Sequence, residues 1–328
     1  MIVTLTPNPS VDRTLHLDTL VRGAVNRARS VTSEPSGKGV NVSLALHTTG
    51  TPTTAVLPVG GPAGAELTDL LRATGLSTRP VPISGAVRSN VSLVEADGST
   101  TKINEAGPTL SESEVAALLG AAEGAGGPGD WLAFCGSLPS GFGAGQLRAS
   151  LVRARRSGRP VAVDTSEAAL LELLAGPSDE LPDLVKPNTH ELAAATQRSL
   201  ATVGDVVAAA QVLLDRGVAT VLVSLGGDGA LLLDRAGAWH GTAPVARVVN
   251  TVGAGDSFLA GYLAQRHLAG PSPSGLDQPA ALSSALTWGA IAVQHAGTVF
   301  PGLPGPGRRP EVRISTPDPS QPLSEPAL

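Results

Sequence analysis

The chain has 328 residues, of which 42% are apolar, 16% charged and 2% aromatic, and a formal net charge of −5. This composition suffices for one large domain or two small ones and excludes disorder over most of the length. The acidic balance speaks against a nucleic acid or an anionic membrane as partner, and the single cysteine, Cys135, excludes a disulfide framework.

Residues 2–6 and 53–59 are short apolar runs bounded by Pro and Gly, with an amphipathic stretch from Gly37 to His47 between them. That is the pattern of a β-α-β unit. The alternation continues with a helix near 63–75, a strand at 130–135, a helix at 143–157 and a strand at 160–164, then strands at 183–185 and 219–224. It predicts an α/β fold with a mostly parallel sheet covered on both faces. Residues 12–34 and 77–104 break the rhythm, because Thr, Val and Arg alternate there and Ala96-Asp97-Gly98 supplies a hairpin turn. They are predicted as strands outside the main sheet, serving either as a lid over a site or as a plain edge extension. Two Ala-rich helices are expected at about 254–269 and 279–296, separated by a Gly/Pro/Ser loop. After Phe300 the composition turns to Pro, Gly and Ser, which predicts a folded domain over 1–300 and a disordered tail over 301–328. The N-terminus lacks the basic and apolar regions of a secretory signal, so a cytoplasmic location is expected.

The chemistry concentrates in a few loops. In Asn250-Thr251-Val252-Gly253-Ala254-Gly255-Asp256, two glycines precede an amphipathic run, where backbone N–H groups and the helix dipole can hold an anion. Asp256 beside such a hole is either a general base for a hydroxyl attacking a phosphate or an ordinary N-cap. Lys186-Pro187-Asn188 closes a strand, and Asn188 and Glu191 lie one helical turn apart. They suit either a hydrated Mg²⁺ or a capping box. Ser224, Gly226, Gly227 and Gly229 form a loop at a strand's carboxyl end, where ligands of α/β sheets lie, and the same residues also read as a hairpin turn. Gly37, Lys38, Gly39 and Asn41 open the first helix as a plausible phosphate or sugar site, although this is not a Walker loop because Thr32 stands where Gly is required. Gly136-Ser137 adds a further loop after a strand. Gly124 to Gly129 spells G-x-G-x-x-G but precedes a strand, so it is no dinucleotide fingerprint. Only three lysines occur against 20 arginines, and two of them, Lys38 and Lys186, fall in these loops while Lys102 does not.

Taken in order, Asn8-Pro-Ser-Val-Asp12, Gly37-Lys-Gly-Val-Asn41, Gly136-Ser-Leu-Pro, Lys186-Pro-Asn-x-x-Glu191 and Thr251-Val-Gly-Ala-Gly-Asp256 resemble the ribokinase/PfkB family of carbohydrate kinases over residues 1 to about 299. Val25-Asn-Arg-Ala28, Arg88-Ser-Asn-Val91, Thr101 to Pro108 and Asp164-Thr-Ser166 are similar to its sugar-phosphate branch. The resemblance implies a ribokinase-like three-layer α/β/α sandwich with a small β-sheet lid that pairs two subunits as a homodimer. It further implies ATP- and Mg²⁺-dependent phosphorylation of fructose 1-phosphate at the 6-hydroxyl. The alternatives are a kinase of tagatose 6-phosphate or fructose 6-phosphate, or a sensor that binds a sugar phosphate without turnover. By the same resemblance Asp256 is the general base, and the amides of Gly253, Ala254 and Gly255 form the anion hole. Asp12, Gly37, Gly39 and Asn41 would hold the sugar, and Lys38, Arg88, Ser137 and Arg27, the last from a partner subunit, its phosphate. Lys186, Asn188, Ser224, Gly226, Gly227, Gly229 and Thr251 would hold ATP, with Asn188 and Glu191 organising Mg²⁺. Ser36, Glu167 and Asn250 depart from the family pattern without removing a catalytic group.

Overall fold

The apolar runs become strands that are buried on both faces. In a computed structural model of the chain, which describes residues 1–270 and 277–327, Ile2, Val3 and Leu5 of the first strand have no exposed surface. The elements begin with β1 (Ile2–Leu5), β2 (Ser10–His16), β3 (Ser30–Ser36), α1 (Lys38–Thr48), β4 (Thr53–Val59) and α2 (Gly61–Thr74). Next come β5 (Thr78–Pro82), β6 (Arg88–Val94), β7 (Thr100–Asn104), α3 (Glu112–Glu123), β8 (Trp131–Cys135), α4 (Ala144–Arg156) and β9 (Val161–Asp164). They continue with α5 (Glu167–Leu174), β10 (Leu184–Val185), α6 (Thr189–Thr196), β11 (Leu200–Thr202), α7 (Val203–Arg216) and β12 (Thr220–Ser224). The remainder is β13 (Ala230–Asp234), β14 (Gly237–Thr242), α8 (Ala254–Leu268), α9 (Gln278–Ala292), β15 (Arg313–Ser315) and β16 (Pro322–Ala327).

Among the described residues the main sheet has ten strands in the order β15-β14-β13-β12-β10-β9-β8-β1-β4-β5. Pairing is parallel from β5 to β12 and antiparallel from β12 to β15. Side chains alternate across it. Ile2, Ala133, Ala162 and Leu222 meet α1, α8 and α9 on one face, while Val3, Leu132, Val161 and Phe134 meet α3 and α4 on the other. Full burial of each such aliphatic side chain contributes about 1.5–3 kcal/mol. The result is the three-layer sandwich that the sequence predicts. Helix starts are chemically marked: Ser111 with Glu114 and Thr202 with Asp205 form reciprocal capping boxes at α3 and α7.

A separate four-stranded sheet, β3-β2-β6-β7, stands off the main one. Two expectations need correction here. The segment over 77–104, expected outside the main sheet as a lid or a plain edge extension, is divided, because β5 pairs in parallel with β4 and forms an edge of the main sheet, and only β6 and β7 join the separate sheet that forms the candidate lid. The tail predicted as disordered over 301–328 instead supplies β15, paired with β14, and β16, paired with β11. Few apolar side chains are needed for this. Backbone pairing does most of the anchoring, and Leu323 and Ala327 bury themselves in the α6–α7 core. The Gly/Pro/Ser loop expected between α8 and α9 lies, over 271–276, outside the described residues. No helix among those described is long and apolar enough to cross a membrane.

Candidate active site

The parallel strands deliver their carboxyl ends to one rim. Chain connections leave β1 toward β4 but leave β8 toward β9, so the β1–β8 crevice is the switch point where α/β sheets bind ligands. Asn8 follows β1 and Ser137 follows β8, and the Asn8 Nδ2 amide donates to Ser137 Oγ at 3.2 Å. Arg88, at the start of β6, donates through Nη2 to the Asn8 carbonyl at 3.2 Å and through Nη1 to the Glu105 carbonyl at 3.0 Å. Burial lowers the Arg88 pKa, with Asp12 and Glu105 opposing the change. Asp12 accepts hydrogen bonds from Ser10 Oγ at 2.7 Å and Asn90 Nδ2 at 3.0 Å, on the polar face of the lid. Gly37 precedes α1 as its N-cap, and Gly39 and Asn41 are buried in its first turn.

The second half of the site gathers at β9, β10 and α8. Asp164 ends β9 with 1% exposure. Lys38 Nζ donates to its Oδ1 at 2.7 Å. Lys186 Nζ forms an ion pair with Oδ2 at 3.0 Å. Burial would raise the Asp164 carboxyl, but Lys186 and Lys38 hold it below the usual carboxylate range. Burial likewise works against the Lys38 charge, and the Asp164 carboxylate overrides it, so the ammonium sits above its usual value.

Asp256, in the first turn of α8, is buried as well and accepts the Asn41 Nδ2 amide at 2.8 Å. Burial and the neighbouring Asp164 charge push it up to about 6, against the Asn41 amide and the two lysines, which draw it down. Gly253 caps the helix at φ +78°, and a Cβ there would meet the Thr298 carbonyl oxygen at 2.6 Å, so glycine is required. The same Thr298 is tied to the lid, since its Oγ1 donates to Glu34 Oε2 at 3.0 Å. Of the three amides expected in the anion hole, Ala254 N–H is already turned to the Thr251 carbonyl at 3.3 Å. A Cβ on Gly255 would lie 3.5 Å from Lys186 Nζ, which places that ammonium against the helix N-terminus.

Asn188 and Glu191 do form a capping box at α6: Asn188 Oδ1 accepts Glu191 N–H at 2.8 Å and Glu191 Oε2 accepts Asn188 N–H at 2.9 Å. The cap leaves further lone pairs on both side chains. Asn188 bridges to Ser224, and Ser224 N–H donates to the Pro187 carbonyl at 3.2 Å, which sets the start of the Gly226–Gly229 loop against the Pro187–Asn188 turn. Thr251 is exposed just before α8. Arg27 is not brought to the cluster, because it lies on the exposed β2–β3 connection. Asp164 is marked in the sequence only by the likeness of Asp164-Thr-Ser166 to the sugar-phosphate branch, without a role, since its partners come from 126 residues upstream and from just past the following strand. Buried polar atoms without partners also crowd this rim: Thr6 Oγ1, Asn8 Oδ1, Asn41 Oδ1, Arg88 Nε and Asn90 Oδ1. Such orphans are rare in folded proteins and fit a hydroxyl-rich, anionic ligand.

The profile of the pfkB family of carbohydrate kinases matches residues 6–305. The 1-phosphofructokinase of Haloferax volcanii is 37% identical over 305 residues, 92% of this chain and 94% of that protein. The 1-phosphofructokinase of Bacillus subtilis is 35% identical over 264 residues, 80% of this chain and 85% of its own. Phosphofructokinase-2 from Escherichia coli in complex with substrates and products superposes with a TM-score of 0.82 at 30% identity, covering 89% of this chain and 92% of that one. Its complex with fructose-6-phosphate gives a TM-score of 0.80 at 30% identity, with coverage of 89% and 93%.

Proposed function

Because the chain belongs to the pfkB family of carbohydrate kinases, we propose that it transfers the γ-phosphoryl group of ATP to the 6-hydroxyl of fructose 1-phosphate, giving fructose 1,6-bisphosphate. The carrying observation is Asp256: a buried carboxylate at a helix N-terminus, raised to about 6, beside two lysines clamped on Asp164. At neutral pH Asp256 is mostly ionised yet basic enough to take the proton of the acceptor hydroxyl. As the O6–phosphorus bond forms, the bond to the bridging oxygen breaks and ADP leaves with that electron pair. The α8 N-terminus and Lys186 face the charge that spreads over the equatorial phosphoryl oxygens.

Lys38, Arg88, Asn8 and Ser137 receive the phosphate already on the sugar, and Asp12 and Asn41 its hydroxyls. The Ser224–Gly229 loop receives the nucleotide. Glu191 and Asn188 offer one carboxylate and one amide oxygen, and no three acidic, His or Cys side chains converge among the described residues. That donor set fits Mg²⁺ held largely by phosphates and water. When bound, the ion supplies neutralising charge to the phosphates.

The lid supports pairing of two copies. On its face away from Asp12, Leu15 registers with Val31 and Leu93 and Val91 with Ile103, while Val31 and Ile103 are each 56% exposed. Covering that apolar strip with a second copy would also carry Arg27 toward a neighbouring site.

The test is ATP consumption with Mg²⁺ on fructose 1-phosphate, fructose 6-phosphate, tagatose 6-phosphate and fructose at equal concentration. Fructose 1-phosphate is expected to be preferred. Preference for a 6-phosphate, the second reading favoured by the likeness to phosphofructokinase-2, would keep the mechanism and relocate the phosphate pocket. Binding without turnover would make the protein a sensor. Arg88→Ala is expected to raise the KM for the sugar phosphate about 10- to 100-fold through loss of charge-assisted hydrogen bonds.

A further inference from the structure

The C-terminal strand reaches the glycine loop that the proposed function gives to the nucleotide. β16 is anchored at both ends of its ladder, Pro322 opposite Thr202 and Ala327 opposite Leu200. The Gln321 carbonyl accepts Val203 N–H at 2.9 Å just before it, and Leu323 and Ala327 are buried. Because side chains alternate along a strand, burying Leu323 turns Ser324 outward. There its N–H donates to Asp228 Oδ2 at 2.7 Å and its hydroxyl to Asp228 Oδ1 at 2.6 Å.

Asp228 is the one charged residue of the loop. Its main chain is held from the opposite side, where its carbonyl accepts His240 Nε2–H at 2.9 Å. Gly226 and Gly227 have nothing within 4 Å of a would-be Cβ, so they face the open side from which a ligand would enter. A flexible glycine turn loses conformational entropy when it closes on a ligand, and a free carboxylate there would repel a triphosphate. The Ser324 clamp counters both effects, fixing the turn beforehand and holding the Asp228 charge on its outer side.

We propose that β16 is a strap that presets the nucleotide loop, with Ser324 and Asp228 as positioning residues for ATP. The inference rests on the assignment of the Ser224–Gly229 loop to the nucleotide. Removing the whole strand would take Leu323 and Ala327 with it and uncover the core they close, so point variants are the right probe. Ser324→Pro deletes both donors without touching the buried side chains, and Ser324→Ala deletes only the hydroxyl. The expected result is a KM for ATP raised about threefold to tenfold by Ser324→Pro, with kcat and the KM for the sugar phosphate within twofold of the parent. In a cycle of Ser324→Ala with Asp228→Ala, the double variant should be no worse than Asp228→Ala alone. An unchanged KM for ATP, additive effects, or a parallel rise in both KM values would overturn the strap. Gly227→Val, which projects into the open side, separates the two readings: ATP binding lost there but intact in Ser324→Pro rejects the strap alone, and ATP binding intact in Gly227→Val rejects the nucleotide assignment beneath it.

Discussion

Asp164 and Asp256 sit at the same rim, and both are buried, with 1% and 7% exposure, yet the protein shifts them in opposite directions. Burial alone would raise both. The difference lies in direct partners: two ammonium groups touch Asp164, whereas Asp256 receives one neutral amide and feels the charge of Asp164. One carboxylate is thus spent on holding lysines in place, and the other is left basic. Depth in a fold does not decide what an acid does; the charges within hydrogen-bond reach do.

The comparison is broken most severely if Asp256 proves dispensable. Asp256→Asn should lower kcat about 10²- to 10⁴-fold, the usual range for a general base, with the KM for the sugar phosphate little changed; steady-state kinetics would reveal near-normal turnover at once. The same change made at Asp164 should act on stability. Asp164→Asn leaves Lys186 buried without its carboxylate and should cost about 3–5 kcal/mol in denaturant unfolding at neutral pH. Asp256→Asn should have the opposite sign. Its carboxyl rises from 3.8 to about 6 on folding, so the folded state favours the proton, and that stability is lost as pH climbs through about 6. An uncharged amide escapes the loss, and the variant should gain up to about 3 kcal/mol at pH 7. Two destabilised asparagine variants would erase the contrast. The finest test is the acid limb of kcat/KM, which should fall as pH drops below about 6 while Asp256 takes up a proton. Lys38→Met removes a cation that draws Asp256 down, so the limb should move to higher pH.

Much of this was legible in the sequence because it is local. The strand at 53–59 matches β4, and the helix expected from about 254 begins at Ala254, just after Gly253. What stayed hidden depends on distant pairing. Pro80 and Pro82 mark 78–82 as an edge strand, but nothing local says to which sheet that edge belongs. The tail looked unable to fold because composition counts core residues, and β16 needs only Leu323 and Ala327 plus a free edge on β11. The Asp164-Thr-Ser166 motif by itself gave Asp164 no role, since that comes from Lys38 and Lys186. Arg27 shows the converse: a residue implied by likeness whose place a single chain does not supply.

The site is stitched across great lengths of chain. Asn41 meets Asp256 across 215 residues, Lys38 meets Asp164 across 126, and Glu34 meets Thr298 across 264. Closing such loops costs little extra at equilibrium, about 0.6 kcal/mol for each doubling of length, but it slows the search. Helices and hairpins can therefore be in place long before Asp256 meets Asn41 or Thr298 meets Glu34. Turnover is therefore expected to return after the secondary-structure signal when the chain refolds, which would make it the stricter clock of refolding.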